Sequence, residues 1–477
     1  MAIEKESTGF FDTLHRYTKE NVTKAWQGIA GTARAIKGTI DPDLPKADQE
    51  RLIRQMEECL NAKGGEITAR RNTAELGRVY LGLTDKGKKH FLSILAKHFD
   101  VDRAKLSQAI LAFHEGKNLE EEVVAETKLR EVLNPPRIKI LKQFTDLPEG
   151  IKFLVDMRED LLRLNDKKSY ELSLLEKDLR GLLASWFDIA LLDMQEITWH
   201  SPAALLEKLI AYEAVHEIRS WDDLRNRLDS DRRCFAFFHP KMADEPLIFV
   251  EVALVEGMAD NIQMLLDESL PAAPVEEADT AIFYSISNAQ AGLAGISFGN
   301  FLIKRVVDSL SRDCKNIKTF ATLSPIPGFM KWLMTALQKE EESLLTSSEI
   351  KIIKRLKPDS KNAVKELHEL LQGEWHKDDS VAAVLEPLLK RLCAHYLLKE
   401  KRESKALDPV ANFHLTNGAR AERLNWMADT SAKGLKQSSG IMVNYLYQLS
   451  KIDDNHEYYS SGKGIPASKS VTSLLKG

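Results

Sequence analysis

The stretch Gln290–Ser311, QAGLAGISFGNFLIKRVVDSLS, decides how the second half of the chain folds. Within it, Gly295-Ile296-Ser297-Phe298-Gly299 reads as G-x-S-x-G, the sharp turn that exposes the nucleophile of many serine hydrolases. In such a turn the strand runs straight into the first glycine. Here the apolar run TAIFYSIS (280–287) ends near Ser287, and Asn288 to Ala294 intervene before Gly295. That loop is too long for an elbow. It suits a strand, a glycine-bearing loop and a helix whose first N–H groups are free, an arrangement that binds phosphate. Gly292, Gly295 and Gly299 remove side-chain carbons that would block close approach. The same glycines are also what close packing of a helix on a sheet would require.

Outward from this loop, CFAFFH (234–239), PLIFVEVALV (246–255) and IKTFATL (317–323) join TAIFYSIS as short β-branched and aromatic runs. The first two lie close enough in sequence for antiparallel neighbours. Phe301, Leu302, Val306, Val307 and Leu310 share one face of the helix after the loop. Residues 331 to 402 turn helical with charged surfaces, and the last stretch is mixed. Residues 1 to about 188 read almost wholly as helix, with Leu52, Ile53, Met56 and Leu60, then Leu172, Leu175, Leu179, Leu182 and Leu183, at helical spacing. Asn134-Pro135-Pro136 punctuates that half. A helical bundle of this kind is more often an assembly module than a seat of chemistry.

Across the 477 residues, Lys plus Arg is 67 against Asp plus Glu of 71, a net charge of −4. That balance gives no reason to expect nucleic acid or an anionic membrane as partner. No apolar run reaches the roughly 18–20 residues of a spanning helix. Neither secretory nor transit peptide is expected from MAIEKESTGFF, with Glu4 and Glu6, nor a peroxisomal address from the closing SVTSLLKG. Cys59, Cys234, Cys314 and Cys393 lie far apart with no C-x-x-C pair, so neither disulfide framework nor zinc site is expected, and a cytoplasmic location is.

The order strand, glycine loop, helix, strand resembles the core of coenzyme A-dependent acetyltransferases, whose signature is Q/R-x-x-G-x-G/A. Gln290 and Gly295 fit it, while Leu293 stands at the first glycine. Longer segments are more specific: ITWHSPAALLEKL, RRCFAFFHP, FYSIS (283–287), GNFLIKRVV (299–307), LSPIPGF (323–329), DPVANFHLTNGA (408–419), RLNWMAD (423–429) and IMVNYLY (441–447). Together they closely resemble malonyl-CoA decarboxylases over about 195–470, and more faintly at GGEITARRNTAELGRVYLGL (64–83).

The resemblance implies an α+β protein: an all-α helical bundle over 1–188 for assembly of a homo-oligomer, then an acetyltransferase-like (GNAT-like) α/β catalytic domain over 189–477, with a mixed sheet and a helical insertion at about 331–402. It implies conversion of malonyl-CoA to acetyl-CoA and CO2 with no metal or cofactor, the coenzyme A thioester being the substrate. Matched motif by motif, the family's catalytic serine falls on Ser324, its histidine on His414 and an active-site tyrosine on Tyr447. Gln290, Gly292, Gly295, Ile296, Ser297, Phe298, Gly299 and Asn300 fall in the coenzyme A loop, although animal members carry a glutamate where this chain has Ser297.

The residue types suit that chemistry. Loss of CO2 from a malonyl thioester leaves an enolate, so the substrate is its own electron sink. The protein must stabilise charge on the thioester oxygen and protonate a carbon. Histidine, with an ordinary pKa of about 6.5, suits proton delivery. Ser324 precedes Pro325 and Ile326 precedes Pro327, which stiffens the loop that carries the hydroxyl. Tyr445 and Tyr447 lie two apart, as on one face of a strand. Lys304 and Arg305 stand where they reach a coenzyme A phosphate or form a solvated helix face. The competing readings are a thioesterase or acyltransferase on the same scaffold, using Ser297 or Ser324, and a non-catalytic malonyl-CoA sensor.

Overall fold

In a computed structural model, the described residues are Trp26, 40–61, 65–165, 169–187, 191–296, 302–339, 344–356 and 362–476. Helices fill the first part as the apolar spacing predicts. Lys46–Leu60 buries Leu52 and Met56, and Tyr170–Trp186 buries Leu172, Leu175, Leu179 and Leu183. Between them runs Gly150–Leu164, which buries residues on most of its circumference because it lies between the other helices and the sheet. Pro136 opens the helix Pro136–Gln143 at the position where a missing N–H costs nothing.

Seven strands form one mixed sheet: β1 Asp193–Ile197, β2 Arg232–His239, β3 Met242–Val255, β4 Thr280–Asn288, β5 Thr319–Thr322, β8 Arg420–Asn425 and β9 Met442–Leu446. Two residue pairs, β6 Lys401–Arg402 and β7 Lys405–Ala406, make a separate ribbon. The spatial order is β1-β2-β3-β4-β5-β9-β8. All neighbours are antiparallel except β4 and β5, which are parallel because the helix Leu302–Asp313 crosses over between them. Four of the strands were legible as apolar runs. β1 was not, since DMQEI is a mostly exposed edge strand without an apolar alternation.

Alternation along the strands divides the core. Val250, Val252, Phe283 and Phe320 face the helical half and the helix Leu302–Asp313, forming one continuous core with Leu154, Val155, Val306 and Val307. Cys234, Ala236 and Phe249 lie under the helices Ala203–Tyr212 and Trp221–Arg227 with Leu206, Leu209 and Leu224. Helical segments Phe329–Gln338, Ser347–Leu356, Ala363–Gln372 and Asp379–Lys399 occupy the region expected to be helical.

Candidate active site

β4 and β5 pair from Thr280–Thr319 to Phe283–Thr322, and the Leu323 N–H still donates to the Phe283 carbonyl at 3.0 Å. One residue later the partner changes. Ser324 exchanges both backbone hydrogen bonds with Val443 of the strand region beside it, at 2.9 and 3.0 Å. Pro325 cannot donate, so β5 stops and the chain turns through Ile326, Pro327 and Gly328 into the helix Phe329–Gln338. The two parallel strands therefore part at Ser324, whose side chain lies at the fork.

Ser324 Oγ donates to Thr322 Oγ1 at 2.8 Å and meets His414 Nε2 at 3.1 Å. On the other side of the ring, His414 Nδ1 lies 2.8 Å from the Tyr447 hydroxyl. When the serine proton is directed to Thr322, the ring proton sits on Nε2 and Nδ1 accepts from Tyr447. The residues singled out as Ser324, His414 and Tyr447 thus stand in one hydrogen-bonded line. All three are buried, with 5, 3 and 2% of their surfaces exposed. Burial alone pushes the His414 pKa down to about 3 and raises that of the Tyr447 phenol well above its usual value. The imidazole is neutral at neutral pH, so it is not the freely titrating group its ordinary pKa suggests.

Two further residues build this line and carried no conspicuous signal. Thr322, two residues before Ser324 on the same strand face, also accepts from the Tyr445 N–H at 3.1 Å, which ties β5 to β9. The Tyr445 ring stacks on His414 with centroids 4.7 Å apart. Asp408 joins the two segments that hold serine and histidine. Its Oδ1 caps the helix Pro409–Thr416 by accepting from the N–H groups of Val410 and Ala411, both at 3.0 Å, and Oδ2 accepts from the Gly328 N–H at 3.2 Å. Gly328 is required here, because a Cβ would stand 2.0 Å from the Tyr396 hydroxyl oxygen. The Asp-Pro pair, an N-cap followed by proline at the first helical position, was the available sequence sign.

The described part of the glycine loop is held partly by packing and is partly open. Gln290 spends its side-chain N–H on the Pro246 carbonyl at 2.9 Å, fastening β4 to β3. Gly292 faces the helical half, where a Cβ would meet the Val155 carbonyl oxygen at 1.9 Å. Ile296 is buried. Gly295 has φ +73°, with nothing within 4 Å of where a Cβ would lie. Ser297, Phe298, Gly299 and Asn300 lie outside the described residues. Arg305 Nη1 donates to the Leu192 carbonyl at 2.7 Å and its guanidinium lies over Phe237. Among the described residues no group of three His, Cys, Asp or Glu side chains is placed to hold a metal.

Asp408→Asn places an amide where the Gly328 N–H needs an acceptor and is expected to cost about 2 kcal/mol of stability. Tyr396→Phe, which removes only a long 3.4 Å contact to the same carboxylate, changes stability by less than about 0.5 kcal/mol. Urea unfolding of both variants checks the contrast. For His414, the unfolded chain binds a proton between pH 6.5 and about 3 and the folded one does not, so its contribution is complete above pH 6.5 and is lost as pH falls. Between pH 7 and pH 5 wild type should lose about 2 kcal/mol more than His414→Gln, read from urea unfolding at both pH values.

Comparison with known proteins gives the family. The pattern of the malonyl-CoA decarboxylase C-terminal domain matches residues 190–477 and that of its N-terminal domain matches 99–187. The mitochondrial malonyl-CoA decarboxylase of Anser anser anser is 38% identical over 423 residues, 85% of this chain and 84% of that protein. The Rattus norvegicus protein is 37% identical, over 84% of this chain and 85% of that protein. Crystal structures of malonyl-CoA decarboxylase from Rhodopseudomonas palustris (TM-score 0.81, 40% identity, 90% of this chain and 99% of that one) and Agrobacterium vitis (0.79, 39%, 89% and 99%) share the architecture. A polar line at the fork of two parallel strands and matches along both parts of the sequence lead to one assignment: this chain belongs to the malonyl-CoA decarboxylase family.

Proposed function

We propose that this protein converts malonyl-CoA to acetyl-CoA and CO2, with Ser324, His414 and Tyr447 acting on the malonyl group. The hydrogen-bonded line through these three residues carries the reading. The malonyl end enters at the fork between β4 and β5, where Ser324 Oγ donates to its carboxylate or thioester oxygen. No charged side chain contributes to the shift at His414, only burial. Among the described residues a carboxylate in that setting has no counter-ion to hold it, and departure as neutral CO2 moves the charge onto the thioester oxygen, where donors can meet it. His414 then gives its Nε2 proton to the enolate carbon and takes the Tyr447 phenol proton at Nδ1, so the imidazole stays neutral, and the one proton that the reaction consumes comes from solvent to restore the phenol. The thioester is the electron sink, and neither metal nor prosthetic group takes part.

The thioesterase reading is weaker at one specific point. A serine hydrolase stabilises the imidazolium that forms during acyl transfer with a buried carboxylate on the second ring nitrogen. Here that nitrogen faces a neutral phenol. Other features support the wider proposal. Parallel strands that part beside a glycine loop favour an acetyltransferase-like catalytic domain over 189–477 with the helical bundle before it. All four cysteines are free and buried, which suits the reducing cytoplasm. No helix among the described residues is long and apolar enough to cross a membrane.

A homo-oligomer is proposed through the helical hairpin Arg103–Glu115 and Leu119–Leu133. Its two helices bury only Ala109 and Ala125, while Leu111, Leu119 and Val124 are 60, 75 and 65% exposed. The basic residues toward its base, Arg103, Lys105, Lys128 and Arg130, are already paired with Asp100, Asp102, Glu131 and Glu126, so the exposed apolar residues carry the proposal. A second copy packed on this hairpin covers the apolar residues. Leu111→Glu with Val124→Glu should lower the mass measured by light scattering to that of a smaller assembly; an unchanged mass removes the hairpin from the interface.

For the reaction, purified protein incubated with malonyl-CoA alone, with and without EDTA, should yield acetyl-CoA at equal rates. Ser324→Ala and His414→Ala should each lower kcat by about a hundredfold or more, whereas Ser297→Ala still gives acetyl-CoA. Malonate and free coenzyme A, lost on removal of Ser297 or Ser324, would instead establish a thioesterase.

A further inference from the structure

Arg158, on the helix Gly150–Leu164 of the helical half, has its guanidinium 2% exposed and directed at the glycine loop. Nη1 donates to the Gly292 carbonyl at 2.5 Å and Nη2 to the Ala294 carbonyl at 2.9 Å. Nε and Nη2 also reach Glu176 Oε1, at 3.2 and 2.7 Å, so the fork is held from behind by the next helix. The Val155 carbonyl presses on Gly292 from the same helix. One side chain from the part of the molecule without strands therefore sets the orientation of two peptide units in the loop after β4.

A trans peptide points its C=O and N–H in opposite directions. Holding the Ala294 carbonyl against Arg158 turns the Gly295 N–H away from the helical half. That N–H has no acceptor among the described residues, and Gly295 lies in left-handed backbone with open space where a side chain would be. The guanidinium also polarises the peptide whose carbonyl it binds, which strengthens the N–H as a donor. We infer that Arg158 is a positioning residue for substrate recognition: it aims the Gly295 N–H at the diphosphate of the coenzyme A thioester without touching the ligand itself. This rests on the reading of the glycine loop as a coenzyme A cradle. It gives the helical half a part in binding, where its composition suggested assembly alone.

The experiment compares malonyl-CoA with malonyl-pantetheine, which keeps the reacting thioester and lacks the diphosphate. Arg158→Lys retains a charge but cannot fork to two carbonyls. It should raise KM for malonyl-CoA by about tenfold, the effect of losing one charge-assisted hydrogen bond, and leave KM for malonyl-pantetheine and both kcat values near wild type. Glu176→Gln, which loosens the anchor without emptying the buried position, should shift the same KM in the same direction by less, and decides the matter should Arg158→Lys not fold. An unchanged malonyl-CoA KM, or an equal loss on both substrates, overturns the positioning role and leaves a structural one. Wild type with equal KM for both thioesters would overturn the cradle reading itself, and the role of Arg158 with it.

Discussion

At Ser324 the backbone of β5 gives up β4 and takes Val443 as its partner. A parallel pair with evenly spaced hydrogen bonds has no reason to separate in mid-strand. Two features hold these strands apart: Pro325, without a donor, and the antiparallel bonds to β9 that replace the lost ones. The exchange leaves a gap beside β4 and places a hydroxyl at its head. Thr322 reinforces it from the side chain, accepting from the Tyr445 N–H and from Ser324 at once. Displacing the strand by one residue would turn Ser324 to the other face of the sheet.

Three elements distant in sequence then meet at that point. β9 and the residue after it bring Tyr445 and Tyr447, and the helix Pro409–Thr416 brings His414 against both. Asp408 keeps helix and serine loop in register through separate oxygens of one carboxylate. Burial pushes its pKa up while the N–H donors around it favour the charged form, so its position is costly and depends on those donors. The imidazole among aromatic rings and hydroxyls is neutral, which suits a reaction that loses a neutral molecule and moves one proton. A carboxylate against Nδ1 would have favoured the imidazolium and acyl transfer instead.

The helical half is continuous with this machinery. Its core merges with that of the sheet, and Val155 and Arg158 grip the loop between β4 and the crossover helix. The close packing explains why Gly292 cannot carry a side chain, a requirement that in sequence looks the same as approach to a ligand. Gly295 is the glycine whose backbone conformation and open surroundings leave room for one.

What the amino-acid sequence determined by itself was local. Apolar spacing placed the helices, short β-branched runs placed β2 to β5, and two X-Pro steps made the Ser324 loop stiff. The motifs were specific enough to nominate Ser324, His414 and Tyr447 before any coordinate was known. The length of the loop before Gly295 argued against the hydrolase elbow for a stereochemical reason that needs no tertiary contact. Only the tertiary structure decided the partner of each group, because those partners are far apart in the chain and no period in the sequence records them. The Ser324 exchange with Val443, the Asp408 link to Gly328 and the reach of Arg158 to Gly292 and Ala294 all arise from packing between elements. The charge state of His414 belongs to the same class: a side chain's ordinary pKa is a property of its type, and its burial is a property of the fold.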